Sequence, residues 1–103
     1  MTRISLHGLV KDFAEDKDIA GQLRNDRILP ALDAGEVVEI DFAGITLATQ
    51  SFMHALIAEA LRRHGEACLD RLVFKNCSPL VRGIIETVVQ YVLETAEDEQ
   101  AKT

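Results

Sequence analysis

No apolar run in this chain approaches the roughly 20 residues that a membrane-spanning helix needs. Basic residues are also scarce: eleven Lys and Arg are scattered among seventeen Asp and Glu, for a formal charge of −6. Duplex binding needs clustered cations to replace counterions, so this balance argues against nucleic acid and for a protein or small-molecule partner. There are only two cysteines, Cys68 and Cys77, and their spacing matches no metal or redox motif. They read as free buried thiols, with neither a disulfide nor a metal role. Met1 to Val10 lacks a long apolar stretch and a small-residue cleavage site, so a secretory leader is not expected and the cytosol is the expected compartment. Internal repeats, low-complexity segments and linkers are absent too.

What remains fits one domain. A chain of 103 residues, 48% apolar, supplies a single core of three or four strands and a few helices. Ile4, Leu6 and Val10 alternate with Ser5 and His7, which predicts a first strand over about residues 3–10. "KDFAEDKD", residues 11–18, reads as a loop that ends in a helix N-cap at Asp16 or Asp18. From Ile19 the spacing of Leu23, Ile28, Leu29 and Leu32 is helical, with Pro30 set to kink the helix or start a new one and Gly35 to end it.

"EVVEIDFAG", residues 36–44, is the clearest strand: Val38, Ile40 and Phe42 share one face, Glu39 and Asp41 the other. "RLVFK", residues 71–75, repeats the pattern. A helix separates each strand from the next, so the connections should be crossovers between parallel neighbours. Right-handed crossovers stepping in one direction place every helix on one sheet face. The other face, with Ser5, His7, Glu39, Asp41 and Lys75, meets water or an unidentified cover.

A helix from Ser51 to Arg63 carries Phe52, Met53, Leu56, Ile57, Ala60 and Leu61 on a broad apolar face, and Arg62, Arg63 and His64 close it at the negative end of its dipole. The last helix opens at Ser78-Pro79. Its apolar pairs recur every four residues, so the stripe drifts by roughly 40° per repeat and winds round the helix. Core burial is the default for these residues; near Val89, Val92 and Leu93 a partner or a second copy of the chain is the alternative cover. The polar end, residues 94–103, places acids where the dipole disfavours them and is expected to fray.

The stretch "DFAGITLATQSF", residues 41–52, concentrates the candidate chemistry. Ser51 and His54 share a helix face with Asp41 upstream, but a base three residues along a helix diverges from its nucleophile and no glycine elbow exposes the serine, so no enzyme and no catalytic residue is expected. His64 and Cys68 are four apart, but Gly65 breaks the register, and no metal or cofactor is expected. Thr46, Thr49, Gln50 and Ser51 lead into a helix whose first N–H groups attract an acceptor. Ser51, or Thr49 if the helix starts earlier, serves as an ordinary N-cap. Two functional readings stand beside this: Ser51 or Thr49 accepts a phosphoryl group, or the helix end holds an anion or a nucleotide.

Val37 to Leu61, "VVEIDFAGITLATQSFMHALIAEAL", resembles the central strand-loop-helix of the STAS fold, and most specifically the STAS-like domains of unknown function of the DUF4325 type. Residues 23–36 and 71–85 fit the flanking elements. The resemblance implies a single small STAS-like α/β domain over residues 1–103, with a mostly parallel or mixed sheet of three to four strands and helices on one face. It further implies a cytoplasmic, non-enzymatic regulatory module. STAS domains of the anti-sigma factor antagonist type bind a kinase of the histidine-kinase-like ATPase fold, and phosphorylation at the start of this helix switches that binding. Those antagonists carry Asp-Ser-Ser-Gly where this chain has Thr49-Gln50-Ser51-Phe52, so their phosphoacceptor falls on Gln50 and their glycine on Phe52. The partner surface expected from a polar loop on a rigid scaffold is Thr46, Thr49, Gln50 and Ser51, with His54, Glu59 and Arg62 on the exposed side of the helix. Alternatives are an anion- or nucleotide-binding module and a homodimer joined through the last helix.

Overall fold

The computed structural model describes residues 1–101, with side chains through Thr95. Three parallel strands form the main sheet in the order β1 (Thr2–Ser5), β3 (Val38–Asp41), β5 (Leu72–Lys75). Ile4, Ile40 and Phe74 lie abreast, as do Arg3, Glu39 and Val73. Parallel neighbours require crossovers, and these are supplied by α2 (Lys17–Leu23) with α3 (Leu29–Asp33), and by α4 (Gln50–His64). Helix α5 (Pro79–Ala101) follows β5. Ile4, Val38, Ile40, Phe42 and Leu72 meet the buried stripes of these helices in one core.

The alternation that predicts a strand to Val10 is interrupted after Ser5. Leu6 adopts helical dihedrals, its N–H still bonded to the Asp41 carbonyl, and α1 (His7–Val10) is a single helical turn. Leu6 is buried all the same, so the period of two is real but ends one turn early. Within "KDFAEDKD" lies a two-residue strand, β2 (Phe13–Ala14), paired in parallel with β4 (Leu47–Ala48). Asp16 is the cap of α2, its carboxylate accepting from the Asp18 and Ile19 N–H groups.

Pro30 does not break the helix. Residues 24–28 widen into a π-turn in which the Leu29 N–H reaches Arg24 O. Widening moves the carbonyl that the proline ring would strike in a regular α-helix, and α3 continues with the proline in its first turn. Gly35, at φ 80°, closes α3: its N–H donates to Leu32 O and that of Glu36 to Ala31 O, the paired bonds of a Schellman stop.

On the sheet's outer face Glu39 is covered by the chain's own side chains. Arg3 Nε lies 2.6 Å from one carboxylate oxygen and Lys75 Nζ 3.0 Å from the other. Asp41 accepts from Asn76 Nδ2 and from the Ala43 N–H, tying the end of β3 to that of β5. The Lys75 hydrogen bond, assisted by Arg3, lowers the Glu39 pKa, and the Asn76 and Ala43 hydrogen bonds lower that of Asp41. Both groups therefore bind protons more weakly folded than unfolded. Their stabilisation is complete above the ordinary values of 4.5 and 3.8 and is lost as pH falls through the lowered folded values. Thermal melts carried down through this range should show a falling melting temperature, with a shallower fall for Glu39→Gln; equal slopes would contradict the assignment.

Helix α5 is capped by Ser78, whose Oγ accepts from the Val81 N–H at 3.1 Å. Val81, Ile85, Val88 and Val92 are buried, whereas Val89 and Leu93 are half-buried against the core. The winding stripe is thus taken up mainly by the fold, and Val92 offers no surface to a second chain. Leu80 and Tyr91 are the large exposed apolar residues of α5 among those described. The acid-rich end expected to fray from Glu94 is helical in backbone to Ala101, and its last residues, 102 and 103, lie outside the described residues. No described helix is long and apolar enough to cross a membrane.

Candidate functional site

The loop after β3 is tied down at both ends. Phe42 O accepts from the Ile45 N–H across a turn with Gly44 at φ 83°. The Thr46 N–H and its Oγ1 both donate to Asp12 O, at 2.8 and 3.1 Å, and the Thr49 N–H donates to Ala14 O at 3.0 Å. The small β2–β4 ladder therefore fixes the direction in which α4 starts.

Thr49 is the N-cap. It has extended dihedrals, and its Oγ1 accepts the Phe52 N–H at 3.0 Å. Ser51, the first candidate for that role, instead occupies the first turn of α4 and is exposed. Of the three hydroxyls, those of Thr46 and Thr49 hold the loop together, and that of Ser51 has no partner among the described residues. Thr49→Ala is expected to lower stability by about 1 kcal/mol through loss of the cap. Ser51→Ala should leave it unchanged, and a urea titration of the two variants separates them.

Gln50, Ser51, His54, Glu59 and Arg62 line one open groove of about 660 Å³. Thr46 and Thr49 are not part of it. Its floor is the stripe of α4 that carries Ala55, half-buried, and Ala58, which is buried. Lys17 and Arg24, seven residues apart on one helical face, stand on the α2 side; Thr87, Val88 and Tyr91 form the α5 side. Arg24 also donates to the Ala55 carbonyl at 3.2 Å, which locks it against α4. His54 meets Tyr91 with ring centroids 6.4 Å apart. Lys17, Arg24 and Arg62 have no carboxylate partner among the described residues, although Glu59 lies on the same stripe. The two walls are invisible in the sequence near the loop, because they come from residues 17–24 and 87–91.

Asp41 cannot orient His54. It sits on the outer sheet face with Asn76 and Ala43, whereas α4 packs on the inner one, and no hydrogen bond links Ser51 with His54 among the described residues. His64 faces α3, its Nε2 2.9 Å from Asp33 Oδ1, beside the Arg63–Asp33 pair at 2.8 Å. Cys68 is buried and Cys77 half-buried, and burial raises the pKa of both thiols.

No curated protein and no solved structure matches the chain closely enough to extend this picture. Residues 20–82, from within α2 to the start of α5, match the sequence pattern of one family, and they contain the capped loop, the whole of α4 and the junctions of β4 with α4 and of β5 with α5. The chain belongs to the STAS-like domains of unknown function (DUF4325).

Proposed function

We propose that this STAS-like domain is a non-enzymatic regulatory module that docks a protein partner through the start of α4 and the groove along it. The observation that carries this reading is the groove itself. Five of the seven residues expected to meet a partner line one open cleft, held in place by a loop whose other hydroxyls are spent on structure. Polar residues on a rigid scaffold are a usual basis for recognition. The family resemblance suggests a partner of the histidine-kinase-like ATPase or anti-sigma regulator class. Ser51 is the hydroxyl at which such a kinase would act: a phosphate there brings nearly two negative charges to the groove mouth, at the positive end of α4.

The tagged domain, incubated with lysate of its source with and without ATP-Mg, should capture one such protein. Capture should be lost with Ser51→Glu and with Ala55→Arg, which fills the groove floor. Recovery that is indifferent to both substitutions would overturn the reading. The cations Lys17, Arg24 and Arg62 favour a second reading, an anion or nucleotide site at the same helix end. Calorimetry with inorganic phosphate and ATP separates the two, since the docking module should give no binding heat with either.

A further inference from the structure

We infer that the groove between α2, α4 and α5 receives an acidic amphipathic helix of the partner protein, laid lengthwise along α4. The inference rests on the docking reading and goes beyond it by naming the form and charge of what docks. Shape comes first. From Ser51 to Arg62 the floor runs along one helix for about 16 Å, at a rise of about 1.5 Å per residue. Two helices wall it, and between Ser51 and Arg62 the floor carries Ala55 and the buried Ala58, small side chains over which another helix backbone can approach closely. Val88 and Tyr91 add an apolar wall, so the seat suits a ligand with anchors at helical spacing.

Charge decides the ligand's sign. A chain of seventeen acids and eleven Lys and Arg places Lys17, Arg24 and Arg62 around this groove against Glu59 alone. Complementary potentials select partners and guide them into register, so the match is an acidic helix with small apolar residues on its inner face. A phosphate-bearing small molecule fits less well. Thr46 to Ser51 contains no glycine with which to wrap a phosphate, and the Phe52 and Met53 N–H groups are already bonded to Thr49.

The test is a phage library displaying a helix of about 14 residues, long enough to be marginally helical alone, with its faces randomised. It is panned on the full chain, and synthetic copies of the enriched peptides are titrated by fluorescence anisotropy. Enriched peptides should carry Asp and Glu flanking an apolar i, i+3, i+4, i+7 stripe. The double variant Lys17→Glu/Arg62→Glu, both positions exposed, should weaken them about tenfold, while Arg82→Glu, outside the groove, should not. Enrichment without acids, no enrichment, indifference to the double variant, or displacement of the peptides by ATP or inorganic phosphate would each overturn the inference. Capture of a partner that depends on Ser51 but not on Lys17 and Arg62 would overturn this inference alone and leave the docking reading standing.

Discussion

Phe52→Ala is expected to destabilise the fold by about 3–5 kcal/mol, the largest effect of any substitution near the candidate site. Phe52 is fully buried although it stands only three residues into α4. Its backbone N–H is the one that Thr49 caps, so the residue that receives the cap is also the first large anchor of the helix. Truncation removes the ring's burial and leaves a cavity, and both terms act in the same direction. For a domain of this size the melting temperature should fall by roughly 15 °C or more. Phe52→Leu, which keeps most of the volume, should recover the greater part. A loss below about 1 kcal/mol for alanine would mean that the start of α4 is free to move, contrary to the ladder that holds it.

Much of the layout was legible because burial enforces period. Val38, Ile40 and Phe42 alternate with Glu39 and Asp41, and the structure buries the first three completely. The stripe of α4 and the stops at Gly35 and Gly65 follow the same local logic, as does the Ser78 cap. Strands β2 and β4 escaped because two residues carry no alternation; they exist through pairing between segments 34 residues apart in sequence. The π-turn before Pro30 escaped because a widened turn keeps the apolar spacing of an ordinary helix. Arg3 alternates with Ile4 and so shares the polar face of β1, but only the register sets it opposite Glu39. The same holds for the groove. Gln50, Ser51, His54, Glu59 and Arg62 lie on one stretch of one helix, which a sequence displays, while Lys17, Arg24 and Tyr91 reach it only by tertiary packing. The sequence offers Ser51 for the cap as readily as Thr49, because the choice depends on whether the backbone at Thr49 is extended.

Gly44→Ala should lower stability by about 1–2 kcal/mol from the backbone alone, since Gly44 holds φ 83° at the third position of the turn that follows β3. An added Cβ would also lie 2.7 Å from His7 Cδ2, closer than van der Waals contact allows. His7 is exposed, so its ring can swing aside, and the contact should add less than the strain. The two contributions separate in a double-mutant cycle. His7→Ala removes the ring but not the strain, so Gly44→Ala in that background should still destabilise, by somewhat less than in the wild type. Full rescue by His7→Ala would show that the turn tolerates a side chain and that only the clash mattered. If strain dominates as expected, the effect should extend to the groove. The turn delivers Thr46 to Asp12 and, through β4, sets where Thr49 caps α4. A strained turn that loosens this ladder should therefore weaken partner capture while leaving Lys17, Arg24 and Arg62 chemically intact, which separates positioning of the groove from its charge.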